Sequence, residues 1–499
     1  MKGQMERKMF RLTLITERKL QRVLSTVGIQ LLRCGLGALI VFSLAQAAEL
    51  PKVTHYSLAL HFLPREGKIA ATAEMSIENT TSVEIKEISL LLYRLLEAES
   101  VTDKQGTPLP FTQDVVKFSD EPNLQVNQVK IHLDDGLAPG KTSIVRLTYS
   151  GAVFGYQEVM RYVRDRIDEN YSLVRPDAFS YPMLCYPSWE SLMEAYRSRF
   201  TYDIEATASK GYTIACGGML KKKTAIDDSQ LFSFQSRIPT WRMDIAMAKF
   251  EVIEDKKNSL VVYCLSGDES GAEIVLKAME RALSFFSESF GGLDDFQGFT
   301  VIEVPDGWGS QASDYYIVQT AAAFKDPSKL SEVYHEIAHM WNVRARPPLD
   351  RSRWFDEAFA SYFEGLAIRA FKGEDAFQAY MERRRSRFIS TAAEDRKNYK
   401  TPIAEYWKEE LGQNSYTKGA WSLYILHRLI GDEAFKRTIK TLRSEFSQRP
   451  AGFDDFMKIA ESVSGKNLKK YFDDWIFGAE SSRLLAEKVS VNDILKRYE

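Results

Sequence analysis

Cysteine is nearly absent from these 499 residues: there are four, Cys34, Cys185, Cys216 and Cys264. No two share a CxxC spacing, which excludes a thiolate metal site and a disulfide framework and leaves at most one disulfide among the three after Cys34. Histidine is almost as scarce, at six. No P-loop is present, and no apolar run approaches the roughly twenty residues that span a bilayer. Low-complexity tracts and internal repeats are lacking too. With 44% hydrophobic and 12% aromatic content, the chain is expected to pack into two or three globular domains.

The net charge of -2 hides an uneven distribution. Residues 1–47 hold eight of the 66 basic side chains and two of the 68 acidic ones. The remainder is therefore acidic, which argues against nucleic acid as a partner. The leader has a basic stretch ending at Arg33, an apolar run over 35–44 and a small-x-small site, Ala45-Gln46-Ala47. This is the layout of a signal peptide. The expectation is an exported protein, periplasmic or secreted, cleaved after residue 47 and left without a membrane span. Cys34 precedes the apolar run and so does not fit a lipid-attachment site.

From 48 to 255 the pattern is mainly period two, as in Tyr56, Leu58, Leu60 and Phe62, then Ala71, Ala73, Met75 and Ile77. This predicts an antiparallel β-rich domain. From 256 to 480 helical spacing dominates. A helix is expected over 272–290, stopped by Gly291-Gly292, then a strand over 299–304. A helix opened by Asp326-Pro327 should run to about 342, and a second, after the Pro347-Pro348 loop, over 356–371. Further helices are expected to about 478, with Gly431 closing the one that contains Tyr416. The tail, 481–499, suits a short amphipathic helix. The fold class is thus multidomain α+β, a β domain followed by a mainly helical one.

His335-Glu336-Ile337-Ala338-His339 is an HExxH pattern on an expected helix. Its two imidazoles lie on one face and can share one ion, with Glu336 offset beside it as general base. Catalytic Zn²⁺ takes three protein ligands and keeps one position for water. Glu357, eighteen residues after His339 at the start of the next helix, is the candidate third donor.

Beyond these residues, 305–360 resembles the aminopeptidase N family of gluzincin metallopeptidases, as does Ser415-Tyr416-Thr417-Lys418-Gly419-Ala420. The resemblance extends over roughly 50–480 and implies a saddle-shaped β domain or sandwich ahead of a thermolysin-like catalytic domain. It implies one Zn²⁺ per chain on His335, His339 and Glu357, Glu336 as base, and Tyr416 as the hydroxyl that steadies the oxyanion. It also implies peptide or protein substrates, with Gly309, Ser310, Gln311 and Ala312 in the substrate-binding stretch.

The departures concern specificity. Where the family has a GxMEN-type segment whose glutamate holds a free amino terminus, this chain has Gly309-Ser310-Gln311-Ala312-Ser313, without an acid. A second family acid falls at Arg175-Pro176-Asp177-Ala178, where Asp177 is a substitute. The stretch 341–347 is instead similar to the glycyl aminopeptidase family. The family's large C-terminal helical domain is expected to be missing. Arg344, Arg346, Arg351 and Arg353 crowd the loop between the ligand helices, read as a solvated loop before a carboxylate-binding surface. His55, His61, His132 and His427 read as structural, the last near a helix end where a cation is favourable. Three functions stay open: an aminopeptidase, an endopeptidase, and a catalytically inactive peptide-binding module.

Overall fold

The computed structural model describes residues 50–499, so the leader expected at 1–47 lies outside them. The period-two pattern produces strands with one buried face. In Lys52–Leu63, Tyr56, Leu58, Leu60 and Phe62 are at most 2% exposed. This strand pairs antiparallel with Lys68–Glu78, setting Leu58 opposite Ala73 on the buried side. On its other edge it pairs in parallel with Thr201–Ser209, a departure from a purely antiparallel expectation. It sits inside a seven-stranded sheet. A four-stranded sheet containing Ile85–Tyr93 and Gln125–Leu137 shares the same apolar core. A three-stranded sheet, Thr213–Cys216, Ile245–Ala248 and Tyr171–Val174, completes the β-rich half.

The next sheet has five strands in the order Phe250–Asp255, Leu260–Leu265, Phe299–Val304, Tyr316–Thr320, Gln311–Ser313. The expected boundary at 255/256 falls in its first hairpin, where Asp255 faces Leu260. Leu260–Leu265 and Phe299–Val304 run parallel, and a parallel pair needs a long crossover. Helix Glu269–Phe290 supplies it, burying Val275, Met279, Ala282 and Phe286 and ending at Gly291, whose φ of 91° suits a residue without Cβ. The sheet ends on a short antiparallel edge strand, Gln311–Ser313.

Helices then form a single large core. Helix Lys418–Ile430 packs on the segment Trp354–Ala358, an approach that needs Gly419: a Cβ there would stand 2.8 Å from Cβ of Ala358. The tail forms two short helices, Glu480–Ala486 and Val491–Leu495. Leu484, Leu485 and Ile494 are fully buried in the same core. Cys185, Cys216 and Cys264 are buried and free, so the disulfide allowed by sequence does not form among the described residues. No described helix is long and apolar enough to cross a membrane.

Candidate functional site

His335 and Glu336 sit on helix Leu330–Ala338. The helix expected to reach about 342 tightens after Ala338, and His339–Trp341 is a 3-10 turn. The two imidazoles still face each other, with ring centroids 5.0 Å apart and planes at 86°. Glu357 lies not in an α-helix but in a π-helical turn, Trp354–Ala358, that precedes helix Phe359–Lys372. Such turns re-aim side chains and concentrate at functional sites. Here the result is convergence: Glu357 Oε2 lies 3.2 Å from His335 Nε2 and 3.8 Å from His339 Nε2. One donor atom from each of the three lies within 4.8 Å of the others.

The donor set fits Zn²⁺ by chemistry as well as by distance. Burial alone would push the His335 imidazole down, but the hydrogen bond to Glu357 and the nearby Glu364 carboxylate outweigh it and raise it to about 10. His339 is raised likewise, with Asp356 overcoming burial. Carboxylates packed against both imidazoles mark a place short of positive charge, which a divalent ion would supply.

A second layer orients the donors. Asp356 Oδ1 lies 2.8 Å from His339 Nδ1, which also meets Asn342 Nδ2 at 2.9 Å, so both partners sit on the ring nitrogen away from Glu357 and leave Nε2 facing the donor set. Asn342 Nδ2 donates to the Asp356 backbone oxygen at 3.0 Å and to its Oδ1 at 3.2 Å. On the other imidazole, His335 Nδ1 lies 3.4 Å from Glu364 Oε2, without hydrogen-bond geometry. Glu364 is held in turn by the Tyr380 hydroxyl (2.8 Å) and Arg384 (2.9 Å). Sequence reading gave none of these five a role. Glu364 had a signal, since it follows Glu357 by seven residues, two turns along the same helical face.

Glu336 opens onto the same cleft, which has a volume of about 1060 Å³. Burial raises its carboxyl, the two imidazoles pull it back, and the balance is upward. Tyr416 also lines the cleft. It ends the 3-10 turn Gly412–Tyr416 and precedes helix Lys418–Ile430, a correction to its expected place inside that helix. Its ring stacks on His335, centroids 5.7 Å apart at 14°. Burial and the nearby Glu357 carboxylate push the phenol up, so it keeps its proton at neutral pH.

Two residues on, Lys418 is fully buried. Its Nζ donates to the Thr401 carbonyl at 3.1 Å and the Ser482 hydroxyl at 2.8 Å, both neutral. Burial pushes this ammonium from 10.5 down to about 7. Between those values the unfolded chain binds a proton that the folded chain lacks, so stability rises with pH across the window. Below about pH 7 the folded protein bears the full cost of the buried charge. Any gain in thermal midpoint on Lys418→Met is therefore expected to be largest below pH 7 and to shrink steadily towards pH 10.5. A variant-minus-wild-type difference that is flat with pH would refute the depressed ammonium.

Gly309, Ser310, Gln311 and Ala312 line the cleft. The Gln311 carboxamide is enclosed by charge: Oε1 accepts from Arg175 and Arg242, each at 3.0 Å, and Nε2 donates to Asp177 at 3.2 Å. Asp177 also accepts from Tyr162 (3.1 Å) and Arg242 (2.8 Å). Asp165 and Asp244 pair with the two arginines. Asp177, the substitute acid suggested by sequence, is thus already committed to three donors.

The loop arginines separate. Arg346 pairs with Asp454 and Asp455, Arg351 faces Glu410 at 3.8 Å, and Arg344 reaches the Gln448 carbonyl. Arg353 alone of the four turns to the donor set, contacting Asp356 and Glu357. His427 is structural but not a cation: its Nδ1 meets the Tyr362 hydroxyl at 2.7 Å, and burial pushes it down to about 4.

Comparison with known proteins places this geometry. The model for the peptidase family M1 domain matches residues 316–475, the stretch that holds both histidines, Glu336, Glu357 and Tyr416. Over those residues the chain is similar to the peptidase family M1 domain. That similarity bears out the aminopeptidase N-like resemblance read from sequence. "Probable aminopeptidase 2" of Sulfurisphaera tokodaii is 23% identical over 305 residues, 56% of this chain and 38% of that protein. Glutamyl aminopeptidase of Bitis rhinoceros is 24% identical over 300 residues, 55% of this chain and 31% of that one. The matched region thus spans well under half the length of these relatives. A crystal structure of an M1 zinc metallopeptidase variant from Deinococcus radiodurans, bound to a Tyr-Ser-Ala substrate, superposes with a TM-score of 0.63. It shares 17% identity, over 86% of this chain and 94% of that one, and bears out the expected β-then-helical fold.

Proposed function

We propose that this protein is a zinc-dependent metallopeptidase that hydrolyses peptide bonds. The observation that carries the reading is the convergence of His335, His339 and Glu357 on one point in an open cleft, with Glu336 and Tyr416 beside it. Those three side chains would hold one Zn²⁺. The ion supplies a Lewis acid that acidifies water and polarises a carbonyl. Glu336 takes the proton of the attacking water and passes it to the leaving amine, a role suited to a carboxyl raised by burial. The Tyr416 hydroxyl donates to the oxygen on which charge develops. The edge strand Gln311–Ser313 has one side without a partner strand, where an extended peptide can align by backbone hydrogen bonds. Relatives named aminopeptidases favour cleavage near the amino terminus.

Purified protein is expected to contain one zinc per chain and to cut members of a mixed peptide library. Chelation should remove the activity and stoichiometric zinc restore it, with mass spectrometry locating the cuts. Zinc-loaded protein that cleaves no peptide would leave the binding-module reading in its place. Export through the 1–47 leader belongs to the same proposal, and a mature amino terminus at Ala48 in the exported fraction is its test.

A further inference from the structure

Among the described residues, Arg353 is the one cleft cation in contact with the donor set, and the chain is shaped around it. Its backbone is left-handed, φ 55° and ψ 19°, an unfavourable region for a residue with a Cβ and one that recurs where function requires it. Its guanidinium lies 5.7 Å from the centre of the Tyr416 ring. Its aliphatic stem passes Gly412, where a Cβ would come within 3.2 Å of Arg353 Cγ. From this position a single nitrogen, Nη2, reaches two carboxylates: Oε1 of Glu357 and, at 3.3 Å, Oδ2 of Asp356.

The two oxygens of Glu357 are thereby divided. Oε1 faces Arg353, while Oε2 faces both imidazoles. The partition continues on Asp356, whose Oδ2 faces Arg353 while its Oδ1 lies 2.8 Å from His339 Nδ1. We propose that Arg353 is the positioning residue of this metal centre: by occupying Glu357 Oε1 and steadying Asp356, it makes Glu357 a one-oxygen ligand and keeps a coordination place open for water. The proposal rests on the zinc reading above. A carboxylate free to turn could bind through both oxygens and fill that place, and polar groups behind metal ligands typically set affinity by about 10–100-fold.

The test compares wild type, Arg353→Ala and Arg353→Lys, with circular dichroism and thermal melting confirming that each is folded. Zinc affinity is measured by competition with a chromophoric chelator, and coordination from the visible spectrum of the Co²⁺-substituted protein. Arg353→Ala is expected to bind zinc about 10–100-fold more weakly. Its Co²⁺ bands should lose intensity as coordination rises above four. Arg353→Lys, which keeps a cation near Oε1, should recover part of both. If Arg353→Ala matches wild type in affinity and spectrum, the inference fails while the zinc site stands. If wild type binds no zinc, the site itself is lost and the inference with it.

Discussion

Glu336→Gln is expected to keep its zinc and lose peptide hydrolysis, with kcat falling about 10²–10⁴-fold. That range corresponds to roughly 3–5 kcal/mol of barrier. The substitution keeps shape and removes only basicity. Glu336 is not one of the three donors that converge, so zinc content by mass spectrometry should not change. KM should move little, because the carboxylate acts on a proton in flight and not on the bound peptide. Folding should not suffer either, since an amide replaces a carboxyl whose charged form burial already disfavours. Full turnover in the variant would sink the base assignment. Loss of zinc together with turnover would show that Glu336 supports the metal instead.

How much of this was legible beforehand divides along a physical line. HExxH could be read because helical spacing alone brings positions 335 and 339 onto one face, and even the 3-10 turn at His339 leaves the rings facing each other. The β-rich half was legible because alternation marks a strand with one wet face, as at Tyr56, Leu58 and Leu60. Partners were not: the parallel pairing of Lys52–Leu63 with Thr201–Ser209 joins segments far apart in sequence, and no local pattern encodes it. The roles of Asp356 and Glu364 escaped for a related reason. A charged residue at a helix start, such as Asp356, reads as a capping charge, one inside the helix, such as Glu364, as a solvated one, and only the packed structure shows which imidazole each meets. Asp177 illustrates the opposite error. Its acidity suggested an amine-binding group, yet Arg242, Tyr162 and Gln311 claim its oxygens first.

Tyr416→Phe is the sharper test of the site as a catalyst, because it deletes one hydroxyl and keeps everything else about the ring. Phenylalanine preserves the stacking on His335 and the ring face beneath Arg353, so zinc affinity should hold, in contrast to Arg353→Ala. What disappears is a donor that burial keeps protonated and that gains most when negative charge builds on the substrate oxygen. Removing one such donor typically costs about 10²–10³-fold in kcat. KM should stay nearly constant, since the ground-state carbonyl draws little from the same hydrogen bond. A phosphinic peptide that mimics the tetrahedral state should lose affinity in parallel with kcat, while an ordinary substrate analogue should not. If the variant instead raises KM and leaves kcat intact, Tyr416 is a binding residue, and the oxyanion must be served by another group in the cleft.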